Sequence, residues 1–306
     1  MKLSEIFKKY SNEQKSKLAF KKWRDKQGVI CKKCNGTDHY WKQDKWQYEC
    51  KKCGFRTTLR SGTVMEASKM PYQSWMIAIA LISATKKSFS ALEMQRQLGH
   101  KRYEPIWLMM HKIRLCMGRR DDKYRLGGQI EIDEGFFESH RIKAKETAPT
   151  IKRQVTVLVM IESELAKTPH KNKCRPKRKA GHLKMQVMDK PNREGIHYEV
   201  KKHIEPSAKA ITDGATYYTK LENILADHTA YPASGDPSMM HKLLPWVHIA
   251  ISNAKKICLG VHHSIKRTYM QNYLNEFCYK FNRRYLKDKL FDRLMVACLT
   301  SSWHGA

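Results

Sequence analysis

At 306 residues the chain exceeds one average domain and carries enough apolar side chains for a real core, so two or three packed units are expected. Lys and Arg number 59 against 29 Asp and Glu, a formal net charge of +30, an excess too large for surface solubilisation and one that points to a polyanionic partner. The longest apolar run, Trp75 to Ala84, has half the roughly 20 residues of a membrane-spanning helix, and no signal-peptide pattern opens the sequence, so a reducing cytosol is expected and disulfides explain the nine cysteines poorly.

In chain order, residues 1–26 read as one basic amphipathic helix, with Ile6, Phe7, Tyr10, Leu18, Phe20 and Trp23 among nine Lys or Arg. Next, Cys31, Cys34, Cys50 and Cys53 form two CxxC pairs fifteen residues apart, the spacing of a zinc ribbon. Each CxxC makes a tight turn that aims two thiolates at one point, and two such turns supply the tetrahedral four-sulfur shell that Zn²⁺ accepts. A ribbon this small buries little apolar surface, so the metal is expected to supply much of its folding free energy. Residues 1–69 carry 18 Lys and Arg against 7 Asp and Glu, a surplus that suits either phosphate contact or a solvated basic face.

From Pro71 to Met117 the period is helical. A buried helix is expected from Tyr72 to Ala84, and a second between Ser90, the N-cap of a capping box with Glu93, and Gly99, a left-handed C-cap. A third places Ile106, Met109, Met110, Ile113 and Met117 on one face and leaves His111, Lys112 and Arg114 to meet a partner. The order suits a helix-turn-helix; a plain helical connector explains the pattern nearly as well.

Near Gln129 the period changes to two. Strands are expected at "QIEIDEGF", "QVTVLVMIE", "HLKMQVMD" and "AKAITDGA", with a short helix around Tyr198 to Ile204 before the last. Between the second and third strands runs a basic loop, "KTPHKNKCRPKRKAG", which either tracks DNA or is solvated. The first strand sets Ile130 and Ile132 on one face and Glu131 and Asp133 on the other. Asp213 stands at the end of a second apolar strand, before Gly214. Two carboxylates brought together repel unless a divalent cation compensates them, and oxygen ligands suit Mg²⁺ or Mn²⁺.

The two CxxC pairs, "SGTVMEASKMPYQSW", "EIDEGFFES", "ITDGATYY" and the tail "YLNEFCYKFNRR" together resemble the transposases of bacterial insertion sequences that carry a zinc ribbon before a DDE-type, RNase H-like catalytic domain. The resemblance covers nearly the whole chain. It implies an α/β fold: a basic helix and zinc ribbon at 1–69, a helix-turn-helix-like DNA-binding region at 70–126, and an RNase H-like mixed sheet flanked by helices at 127–306. It also implies two catalytic Mg²⁺ or Mn²⁺ ions held by Asp133, Asp213 and a third ligand on the helix "WVHIAISNAKKICLG".

That third position, usually Glu, is here His248, with Lys255 seven residues on to hold a terminal phosphate. Neutral imidazole removes a negative charge and favours Mn²⁺. Asn253 is the competing ligand, and a histidine merely packed beside Trp246 is the structural alternative. The implied activity is cleavage of double-stranded DNA at the element's terminal repeats and joining of the 3′-hydroxyl to target DNA, by a cytoplasmic, nucleoid-associated homodimer or higher oligomer. The alternatives are a domesticated DNA-binding regulator without strand transfer, which the His in place of Glu favours, and an RNase H-like nuclease without joining activity.

Overall fold

The change of period near residue 129 marks a change of architecture, with helices before it and a five-stranded sheet after it. The computed structural model describes residues 3–139, 154–166, 176–189, 191–231 and 243–302. The chain divides into two units, residues 1–120 with 283–306, and residues 121–282.

In the first unit, residues 1–26 form two helices where one was expected: α1 (Leu3–Lys9) and α2 (Glu13–Gln27). The break is a cap. Asn12 has extended backbone and its side chain accepts from Lys15 N at 2.8 Å, which satisfies an amide that would otherwise lack a partner. Ile6, Tyr10 and Phe20 are buried as expected, while Phe7 and Leu18 are exposed. A three-stranded antiparallel sheet follows, β1 (His39–Lys42), β2 (Gln47–Cys50) and β3 (Arg56–Thr58).

Helix α3 (Tyr72–Ala84) is the buried helix the apolar run predicts, packed against α1, α2 and the last helix, α9 (Leu290–Leu299). Pro71 offers its first turn no side-chain acceptor. The carboxylate of Glu13, on α2, does so instead, taking Tyr72 N and Gln73 N at 2.9 Å each.

Helix α4 (Ala91–Leu98) is closed at both ends as predicted: Ser90 Oγ accepts from Glu93 N at 3.0 Å, and Gly99 is left-handed. The reciprocal half of the capping box is replaced, because the Glu93 carboxylate takes Gln97 Nε2 at 2.7 Å.

Helix α5 (Tyr103–Asp121) corrects one expectation. Its apolar face is buried as predicted, but His111, Lys112 and Arg114 are buried too. Lys112 Nζ donates to Glu66 O at 2.9 Å and Arg114 to Phe89 O at 3.1 Å, while His111 lies against Trp107 with ring centroids 3.9 Å apart. These contacts tie α5 to its own unit, and the three side chains present no face to a partner.

The second unit is an α/β, RNase H-like sheet in the order β6-β5-β4-β7-β8. The four expected strands are β4 (Gln129–Glu138), β5 (Gln154–Leu165), β6 (Arg178–Met188) and β7 (Lys209–Thr212). An unpredicted edge strand, β8 (Asp227–Ala230), completes the sheet. β4, β5 and β6 are antiparallel neighbours, and β7 and β8 run parallel to β4. Most of the basic loop at 167–181 lies outside the described residues.

Helix α6 (Arg193–His203) covers one face through Ile196 and Val200, over Ile130, Ile132, Leu158 and Met160. Helices α7 (Pro245–Ile257) and α8 (Arg267–Asn282) cover the other, over Val157, Val159, Ile161 and Met185. The predicted helical stripe on α8 behaves as expected: Leu274 and Cys278 enter this core, with Phe277 and Phe281 packed at its margin. Among the described residues, no helix is long and apolar enough to cross a membrane.

Candidate active site and metal centre

The four ribbon cysteines converge. Cys31 N donates to Gly36 O and Asn35 N to Cys31 O, and the second pair repeats the motif with Cys50 N to Phe55 O and Gly54 N to Cys50 O, all at 2.9 Å. The two turns bring Cys31 and Cys53 Sγ to 3.5 Å, and Cys34 and Cys50 Sγ to the same distance. Among the described residues this is the one group of three or more possible metal ligands whose donor atoms all lie within 4.8 Å of one another. The site also leaves no room for a side chain at Gly36, where a Cβ would stand 3.2 Å from Cys50 Sγ and 3.3 Å from Cys34 Sγ. A tetrahedral thiolate shell fits both the spacing and the donor type.

In the second unit, the parallel pairing of β4 with β7 sets Gln129 beside Lys209, Ile130 beside Ala210 and Glu131 beside Ile211. The same offset carries Asp133 to Asp213, one residue past the end of β7, on strands about 4.8 Å apart. Burial pushes the Asp133 carboxyl up to about 7; the Glu134 amide, 2.7 Å from Oδ1, pulls against it, the charges of Glu134 and Asp213 add to the rise, and Lys255 opposes it. Asp213 is held in a local turn, its Oδ1 accepting from Ala215 N at 3.1 Å.

Helix α7 supplies the other two expected residues. His248 Nδ1 lies 3.6 Å from Asp133 Oδ2. Lys255, two turns on, stands with its Nζ 5.9 Å over the Phe137 ring. Asn253 is exposed on a different side of the helix from His248, since five residues advance the chain by some 140° beyond a full turn. The close approach of α7 to the strand explains the glycine of "IDEG": a Cβ on Gly135 would fall 3.2 Å from Ile251 Cγ2 and 2.9 Å from the Phe137 ring.

Glu131 and Glu134, the acids on either side of Asp133, have partners of their own. Glu131, fully buried, accepts Trp246 N at 2.8 Å and Val247 N at 2.9 Å on one oxygen, Oε2. Burial raises its carboxyl despite those amides and the Ser163 hydroxyl, and Ser163 in turn takes Arg178 Nε at 2.7 Å. Glu134, on the opposite face of β4, receives the hydroxyls of both Tyr217 and Tyr218. Alternation along the strand places Glu131 on the face of Asp133 but gives neither glutamate a partner; "TYY" after "DG" is the one available signal for the tyrosines.

The donor set is two oxygen acids and one imidazole, with ionic compensation needed at Asp133. Atoms bound to one Mg²⁺-sized ion at about 2.1 Å stand roughly 3.0 Å apart when adjacent and 4.2 Å when opposite in an octahedral shell; the 3.6 Å between Asp133 and His248 lies between the two, a small side-chain adjustment from the adjacent value. Asp133, Asp213 and His248 do not form a group with all donor atoms within 4.8 Å, which is wider than a single shell. None of the curated proteins compared with the chain matches it. A family model described as ISXO2-like transposase domain matches residues 125–282, nearly all of the second unit and every residue of this cluster.

Proposed function

From the premise that the chain belongs to the ISXO2-like transposases, we propose that it cleaves DNA at the ends of its own insertion sequence and joins the freed 3′-hydroxyl to a target duplex. Asp133, Asp213 and His248 are the residues that would hold two divalent ions, Mg²⁺ or Mn²⁺. When bound, the ions would supply Lewis-acid activation of the attacking oxygen and stabilise charge on the leaving oxygen.

The protein's own groups do the rest. The β4 backbone holds Asp133, and the turn after β7 holds Asp213 through Ala215 N, so neither has to be ordered when DNA arrives. Lys255 offers a point charge, two helical turns from His248, to orient a phosphate. The four-cysteine site would hold Zn²⁺ and stiffen a strongly basic ribbon for phosphate contact, with the helices of residues 70–126 contributing to recognition of the terminal repeats. Cytoplasmic action on the nucleoid and a dimer or higher oligomer on DNA complete this reading.

The observation that carries it is the convergence of strand-borne Asp133 with His248 on α7, 3.6 Å apart, beside the register-matched Asp213. The test is cleavage of a labelled terminal-repeat duplex in Mn²⁺ by wild type and Asp133→Asn. Cutting by wild type alone supports the transposase reading. Binding by both without cutting by either supports a DNA-binding regulator, and nicked product that is never joined supports a nuclease.

A further inference from the structure

Three of the acids in "EIDEGFFE" have different partners, and the difference is systematic. We propose that the glutamates flanking Asp133 are positioning residues, one for each of the other two ligand-bearing segments: Glu131 braces α7, which carries His248, and Glu134 braces the segment after β7, which carries Asp213. The inference rests on the reading of Asp133, Asp213 and His248 as metal ligands.

Helix α7 begins without any local cap, because Leu244 has no acceptor side chain and Pro245, at the first helical position, has no N–H. Its first two amides, Trp246 N and Val247 N, both end on Glu131 Oε2. A buried carboxylate facing a helix N-terminus makes charge-assisted hydrogen bonds, stronger than neutral ones and favoured by the helix dipole. His248 is the next residue of the helix, and Asp133 is the next residue on the same face of β4. One contact therefore sets the spacing of the two ligands, with one residue between brace and ligand on the strand and none on the helix.

Glu134 repeats the arrangement on the other face. Its two oxygens take the hydroxyls of Tyr217 and Tyr218, four and five residues beyond Asp213. Tyr218 is fully buried in the core under α6, so this pair anchors the turn that starts at Asp213 to the strand that carries Asp133. Strand pairing of β4 with β7 stops short of Asp213; the tyrosine contacts resume the tie after the gap.

The experiment measures Mn²⁺ affinity of the full, zinc-loaded chain, with Mn²⁺ alone as the probe, by loss of the free-ion EPR signal. Glu131→Asp keeps the charge but shortens the reach, and Glu131→Gln keeps the length but removes the charge. Outer-shell changes of this kind weaken metal binding about 10- to 100-fold, and both variants are expected in that range. The loss should vanish in a His248→Ala background and persist undiminished in an Asp213→Asn background; Glu134→Gln should show the reverse pattern.

Wild-type affinity in Glu131→Asp, or equal coupling of each glutamate to both ligands, overturns the proposal and leaves only a general charge effect. If Glu131 variants lose their far-UV circular dichroism, Tyr217→Phe, which removes one hydroxyl and no charge, carries the test: weaker Mn²⁺ binding coupled to Asp213 alone supports the braces, and unchanged binding overturns them. A distinct result, Asp133→Asn binding Mn²⁺ as wild type does, would remove the ligand reading itself.

Discussion

His248 Nδ1 and Asp133 Oδ2 face each other at 3.6 Å across the α7–β4 contact, a gap longer than a hydrogen bond. The Asp133 carboxyl, at about 7, is surrounded by Glu134, Asp213 and Lys255 as well as this imidazole, and its ionisation is what a cation would compensate.

Metal binding should therefore lose strength in mild acid. A ligand must shed its proton to bind, so Mn²⁺ affinity is expected to fall by about tenfold per pH unit below pH 7 for the one proton on Asp133, measured by titration between pH 5.5 and 8. Without Mg²⁺ or Mn²⁺, stability should run the opposite way. The folded-state value lies above the unfolded one of about 3.9, so the folded form holds the proton more tightly, and this contribution is full below pH 4 and lost as pH rises through 7. Asp133→Asn should remove that component of the fall, read as a higher melting temperature than wild type at pH 8 and little difference at pH 4.

Ligand choice on α7 is tested by two substitutions. Asn253 is exposed away from His248, and Asn253→Ala is expected to leave Mn²⁺-dependent end cleavage within about twofold of wild type. His248→Glu restores a negative charge and an oxygen donor, and should shift the preferred ion from Mn²⁺ towards Mg²⁺. Cleavage assays across both ions, with loss of activity in Asn253→Ala but not in His248→Ala, would reverse the assignment.

Gly135→Ala should cost stability without touching a charged group. The added methyl would meet Ile251 at 3.2 Å and the Phe137 ring at 2.9 Å, and overpacking of this kind costs about 1–3 kcal/mol. Pairing it with Ile251→Ala, which removes both Cγ atoms the methyl would meet, should give a double variant less destabilised in urea than the sum of the two single losses.

The ribbon is expected to lose its tertiary structure when the metal is stripped or when Cys50 is replaced by Ser. Trp41 packs edge-on against Trp46 at 5.7 Å and against Tyr48 at 4.8 Å, so tryptophan emission should red-shift as zinc is released, and zinc added back should reverse it. An unchanged spectrum after complete zinc removal would show that the strands hold without the metal.

How much of this was legible depends on the range of the interaction. Ser90 and Gly99 are local signals, and each closes α4 as read. The alternating face of β4 was also legible, because Ile130 and Ile132 enter one core while Asp133 faces α7. Burial of Lys112 and Arg114 was not, since their acceptors lie 46 and 25 residues away and periodicity carries no information on carbonyls elsewhere. β8 is short, at the edge, and half exposed, which leaves no period to read. The resemblance paired Asp133 with Asp213, but nothing in the order of residues announced that Glu131 caps a helix 115 positions later.

Among the described residues, helices α3 and α7 start at residues that cannot cap them and take a glutamate from elsewhere, Glu13 in one case and Glu131 in the other. Each is thereby conditional on a remote stretch of chain, and its first turn should fray in any excised peptide. Anyone transplanting α7 with its histidine into a relative or a designed scaffold would have to carry the strand glutamate along with it, because the two function as one heritable part.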